Sequence, residues 1–159
     1  MIRQNFYLFF IVTPLVVLAC AANQSVDGTA NDGQLITPQN LNSIAGLEWN
    51  LTQMTKDKST IALVKGSQTT FACTPDGGVT GKATLNRYSG NLTLQADGEI
   101  VWSKAFIMTR MAGPPELMRQ EADFSQTLVK TSRMHLKDSI LVLTSEDRSY
   151  RLEFERIKQ

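Results

Sequence analysis

Short apolar runs, broken at regular intervals by turn chemistry, most limit what this chain can fold into. Asp76-Gly77-Gly78, Ser89-Gly90 and Asp97-Gly98 punctuate the middle of the sequence, each pairing a turn-forming polar residue with glycine. Around them, large apolar side chains alternate with polar ones. Leu47, Trp49 and Leu51 oppose Glu48, Asn50 and Thr52, the period of a strand with one buried face. The same reading predicts strands over residues 60–64, 68–74, 79–85, 91–95, 100–103 and 105–109. Two more, over 139–144 and 150–155, close the chain around a hairpin at 145–148. Strands spaced by about eight to ten residues with short connections pair antiparallel.

One long helical pattern interrupts the strands, over residues 115–131. Pro114-Pro115 open it, Glu116 suits the positive end of the helix dipole, and Leu117, Phe124 and Leu128 form an inward stripe flanked by Met118 and Ala122. Glu121 is the one polar residue within that stripe. A second, short helix is expected over 38–44, with Thr37 as N-cap, Pro38 at the first helical position, and Leu41 and Ile44 facing inward. The fold class is therefore α+β: an antiparallel sheet, one main helix packed across it and a short N-terminal helix.

The first residues give an address. An apolar run over 6–18 follows a leader that contains Arg3 and no acid, and it is too short to cross a hydrocarbon core as a lasting helix. It closes on Val17-Leu18-Ala19-Cys20, which resembles the bacterial lipobox, where the cysteine is acylated and becomes the first residue of the mature protein. The alternatives are an ordinary cleavage site and an uncleaved anchor. The expected division is a lipoprotein signal peptide at 1–19, lipidated Cys20 and a flexible polar tether at 20–36, and one domain at 37–159.

Composition excludes several classes. Sixteen basic residues stand against 15 acidic ones, a net charge of +1 that balances once the leader's Arg3 is removed, so nothing recruits nucleic acid electrostatically. With Cys20 acylated, Cys73 has no internal partner and reads as a buried small hydrophobe. His135 is the only histidine, so a multi-histidine metal site is excluded, and it reads as a surface residue. Cys73 and His135 sit in no recognised nucleophile–base motif. No phosphate loop, paired catalytic carboxylates or metal cluster is visible, and no cofactor is expected.

Gly81-Lys-Ala-Thr-Leu-Asn-Arg-Tyr-Ser-Gly90, then Met108-Thr-Arg-Met-Ala-Gly-Pro114, then Met118 and Glu121, form a block that resembles the META domain family of HslJ-like lipoproteins. The likeness runs from Thr37-Pro38 through Trp49 to Phe154. It implies a small antiparallel sheet, curved toward an open barrel, with a helix across it. It also implies sorting to the outer membrane and a role under stress. META domains commonly carry cysteine where this chain has Leu85 and Gly113. If those cysteines pair in the family, the resemblance implies that Leu85 and Gly113 are spatial neighbours here.

Several residues carry both a structural and a functional reading. Asn86, Ser89 and Gly90 suit a turn, or a ligand contact. Arg87 and Arg110, with Tyr88, form a candidate recognition spot for a ligand or partner, or are simply solvated. Glu121 is a candidate general acid, or a buried carboxylate held by Arg110. The expected function is a monomeric, non-catalytic, lipid-anchored envelope domain that binds or stabilises an envelope partner or an apolar ligand. A purely structural accessory is the alternative, and an enzyme of unrecognised type comes third.

Overall fold

The structure, a computed structural model, describes residues 32–158; the expected leader and Cys20 lie outside the described residues. The described elements are β1 (Gln34–Leu35), β2 (Glu48–Lys56), β3 (Ser59–Ile61), β4 (Thr70–Cys73), β5 (Gly78–Lys82), β6 (Arg87–Leu94), β7 (Ile100–Trp102), β8 (Ile107–Met108), α1 (Pro115–Leu128), β9 (Arg133–Lys137), β10 (Ile140–Thr144) and β11 (Arg151–Arg156). Every pairing is antiparallel, in the order β1-β9-β10-β11-β2-β4-β5-β6-β7, with β3 beside β2 and β8 beside β6. The path does not return on itself, so the sheet is open.

Alternation explains which face is buried. Trp49, Leu51 and Met54 of β2 point into the core, as do Leu152 and Phe154 of β11 and Leu141 and Leu143 of β10. Between Glu153 and Phe154 of β11 the pairing passes over Thr52 of β2, and such an extra residue bends the strand that carries it. Phe124 and Leu128 of α1 are buried against this surface. Phe154 meets Phe71 and Phe124 with ring centroids 5.7 and 6.5 Å apart, and Tyr88 meets Phe124 at 5.7 Å. Each large side chain removed from water in this way contributes about 1.5–3 kcal/mol. Aromatic contacts therefore fasten the helix to both halves of the sheet.

α1 begins where expected, with Pro115 at its first position and Glu116 in the first turn. It ends at Leu128, whose carbonyl accepts a bond from the Thr131 hydroxyl at 2.7 Å. Lys56 reaches it from β2, bonding Asp123 and Gln126 at 2.7 Å each.

Four local expectations are corrected. The short N-terminal α-helix is absent; one 3-10 turn, Leu41–Ser43, stands in its place. The cause is Asn40: its side chain accepts from the Thr37 amide at 2.7 Å and donates to the Leu35 carbonyl at 2.9 Å. Those bonds compete with a helical first turn, although Leu41 and Ile44 are buried as anticipated. Gln34–Leu35, expected in the tether, pairs with β9. Ser89 and Gly90, read as turn residues, lie inside β6. Residues 133–137, given no strand, form β9, joined to β10 through Asp138 and Ser139, with Asp138 at φ 54°.

Candidate functional site

The β5–β6 connection is where the signature residues meet. Lys82 ends β5, and the chain passes through Thr84 at φ 88° before β6 begins at Arg87. A β-branched residue held at positive φ is costly, and its side chain shows what holds it. The Thr84 hydroxyl lies 2.7 Å from that of Thr69 and accepts from Gln120 Nε2 at 3.0 Å. Gln120 is itself buried, and its Oε1 takes the Val64 amide at 2.6 Å. The helix thus pins the turn and the loop before β4 with one amide side chain.

One residue further along α1, Glu121 does the same with a carboxylate. Its Oε2 accepts the backbone N–H groups of Leu85 and Asn86 at 3.1 and 2.7 Å, and its Oε1 accepts Asn86 Nδ2 at 2.7 Å. Asn86 completes the junction. Its Oδ1 takes the Thr109 hydroxyl at 2.8 Å and the Met111 amide at 2.7 Å, while Nδ2 also donates to the Met111 carbonyl at 3.1 Å. Three segments meet at two side chains: the β5–β6 connection, the loop after β8, and α1.

This replaces the expected Glu121–Arg110 pair. Arg110 is exposed and makes no ion pair with Glu121. The carboxylate is satisfied by amide donors, which suit a charged acceptor as well as a cation does.

The other candidates separate. Tyr88 is core: it is 3% exposed, its hydroxyl donates to the Thr70 carbonyl at 2.9 Å, and burial pushes its phenol far above the ordinary range. Arg87 points to the opposite face and is exposed. Gly90 leaves room for Phe106, whose ring atoms would lie 3.0 Å from a Cβ placed there. Met118, which flanks the inward stripe of α1, is exposed. Cys73 is buried as expected, and burial pushes its thiol up to about 11, which leaves little nucleophilic thiolate at neutral pH. His135, expected at the surface, is 4% exposed, with its Nδ1 buried and unpaired. Desolvation lowers its pKa; Asp32 opposes that shift, while Arg148, Arg151 and Arg133 reinforce it.

Two concavities are open to solvent. One, of about 380 Å³, is lined by His135, Arg133, Asp97, Asp32 and Arg148 among others. The other, of about 730 Å³, lies on the outer face of the sheet over β4, β5, β6 and β8, with Thr80, Lys82, Arg87, Ser89 and Ile107 on its walls. Sequence reading names Ser89 but not Thr80 or Lys82, because without a strand over residues 87–90 no register joins those two to Ser89 and Arg87. Among the described residues, no group of three or more His, Cys, Asp or Glu is arranged to hold a metal ion. No described helix is long and apolar enough to cross a membrane.

An open antiparallel sheet crossed by one helix, its signature residues spent on fastening that helix, defines a small α+β scaffold domain. The chain belongs to the META domain family, whose model matches residues 42–158. The fold is similar to that of a Burkholderia xenovorans protein solved by NMR, at 19% identity and TM-score 0.63, covering 77% of this chain and 90% of that one. It is also similar to a DUF4847 family protein from Bacteroides vulgatus, at 12% identity and TM-score 0.53, covering 74% and 97%. No curated protein matches the chain. None of the matched descriptions names a catalytic activity.

Proposed function

We propose that this chain is a lipid-anchored protein of the bacterial envelope, held at the outer membrane through acylated Cys20. Its META domain faces the periplasm and binds an envelope protein without catalysing a reaction. The observation that carries the binding half is the filled interior. Trp49, Phe71, Phe124 and Phe154 are fully buried within one continuous core, and the larger concavity is an open outer-face groove whose walls mix apolar residues such as Leu47, Ala72 and Ile107 with polar and charged ones. An apolar small ligand normally needs an enclosed pocket; an open groove of mixed apolar and polar character suits a macromolecular partner. The non-catalytic half is supported by the thiol of Cys73, which burial raises, and by Glu121, whose two oxygens are both occupied. The leader and Cys20 supply the anchor, and the family resemblance supplies the link to stress.

Alkyne-fatty-acid labelling with membrane fractionation tests the anchor, and photo-crosslinking in living cells from a residue placed at Thr80 tests the partner. The parent should be labelled, fractionate with the outer membrane and crosslink to a discrete protein. Cys20→Ser protein should be unlabelled and should lose that crosslink. Labelled Cys20→Ser protein, or a parent that crosslinks to no protein, would contradict the reading.

A further inference from the structure

We infer that the outer face of β5 and β6 recognises the carboxylates of an extended acidic segment in a partner protein, an inference that deepens the function proposed above and rests on it. Register places Lys82 directly opposite Arg87 and Thr80 directly opposite Ser89. Side chains two residues apart on a strand share a face, so these four stand together, on the side away from the buried Val79 and Tyr88. Like charges directly opposite destabilise a sheet. Neither Lys82 nor Arg87 has a carboxylate partner among the described residues, and neither the Thr80 nor the Ser89 hydroxyl makes a hydrogen bond there. Glu48 is the one acidic residue lining the groove, and it pairs with neither cation. The face therefore holds two uncompensated cations and two free hydroxyl donors, and an arriving oxyanion relieves the repulsion.

The neighbouring strand selects an extended segment. Ile107 of β8 lies opposite Ser89, on the next strand of the same rung, and is 70% exposed. Among the described residues, β8 pairs only with β6, so its outer edge is unpaired. Such an edge is a template for an added strand. Alternate side chains of a strand share one face, so a docked segment that carries an apolar residue two positions from an acidic one sets the first beside Ile107 and the second toward Arg87 and Lys82. A phospholipid headgroup would use the cations but neither the edge nor Ile107.

Titrating the purified full chain with the octapeptide Asp-Thr-Leu-Thr-Asp-Thr-Leu-Thr, which presents Asp and Leu in turn on one face, followed by amide NMR shifts, tests this. The expected shifts centre on Thr80, Lys82, Arg87, Ser89 and Ile107, and affinity weakens as salt rises. The Lys82→Thr, Arg87→Thr double variant should bind roughly tenfold or more weakly. That variant should melt no lower than the parent, because a repulsive pair has been removed; this separates lost recognition from lost folding. Equal binding of the same octapeptide with Lys in place of Asp overturns the inference, as does undiminished binding by the double variant. So does binding of phosphatidylglycerol vesicles or inorganic phosphate at this face with no binding of the acidic peptide. Peptide binding as expected, with no crosslink in cells, would count against the envelope reading alone.

Discussion

The side chain of Leu85 lies directly over Gly113. A Cβ built at Gly113 would fall 2.8 and 2.9 Å from the two δ carbons of Leu85. The approach anticipated from the family's two cysteine positions is therefore present in a chain that has neither cysteine. Gly113→Ala should destabilise by about 1–2 kcal/mol through overpacking, and Leu85→Ala in the same protein should recover part of that loss. Leu85→Cys with Gly113→Cys, once oxidised, should form an internal disulfide that raises the melting temperature, since closing a loop of this size is worth about 3–4 kcal/mol in the chain-entropy model. Melting curves with and without reductant check this; identical curves would reject it.

His135 should make stability depend on pH near neutrality. Burial lowers its pKa below the ordinary value of 6.5, so the unfolded chain binds the proton more readily than the folded one. The contribution is fully present above pH 6.5 and is lost as pH falls toward the folded-state value. Asp97 and Asp147, whose carboxyls are held below their ordinary 3.8 chiefly by hydrogen bonds from the Glu99 amide and the Ser149 hydroxyl, act only at lower pH. Denaturation midpoints at pH 7 and pH 5 should therefore differ in the parent and converge in His135→Leu. A Leu variant with the parent's pH slope would assign that slope elsewhere.

Asp32 should be the N-terminal fastening of the domain. It is 4% exposed and accepts Arg148 at 2.9 Å and Arg151 at 2.7 Å. Arg151 also holds Glu153 at 2.8 Å, making a chain of charges across the end of β11. Both guanidinium groups are partly solvated, so Asp32→Ala should cost about 1–3 kcal/mol rather than the larger loss of a fully buried pair. Urea denaturation at low and high salt checks this. An Asp32→Ala midpoint equal to the parent's would remove residues 32–35 from the cooperative unit.

Much of this was readable locally. Trp49, Leu51, Leu152 and Phe154 announce their buried face by alternation, and Pro115 announces the start of α1. β9 is legible too: Met134 and Leu136 alternate with Arg133, His135 and Lys137 ahead of a turn at Asp138, but the alternation gives no sign that His135, on the polar side, is buried. Glu121 shows where local reasoning stops. Charge alone nominated Arg110, whereas its partners are the amides of Leu85 and Asn86, exposed by a turn whose geometry depends on the buried Thr84–Gln120 bond. The short helix failed for a smaller reason: Asn40 bonds back onto Leu35 and Thr37, and side-chain competition of that kind leaves no mark in hydrophobic periodicity.

The central claim is that the signature pair Asn86 and Glu121 is a structural weld rather than a reactive site, and a double-mutant cycle tests it most directly. Asn86→Ala leaves the Glu121 carboxylate with fewer donors and removes the bonds to Thr109 and Met111, and Glu121→Ala leaves the Leu85 and Asn86 backbone amides without their acceptor and takes one bond from the Asn86 side chain. Each should cost about 1–3 kcal/mol. Because the two side chains share the Asn86 Nδ2–Glu121 Oε1 bond, the double variant should lose less than the sum, with a coupling of about 1 kcal/mol. Arg110→Met should stay within about 0.5 kcal/mol of the parent. A Glu121→Ala protein as stable as the parent, or strictly additive losses, would contradict the weld and return Glu121 to the list of reactive groups.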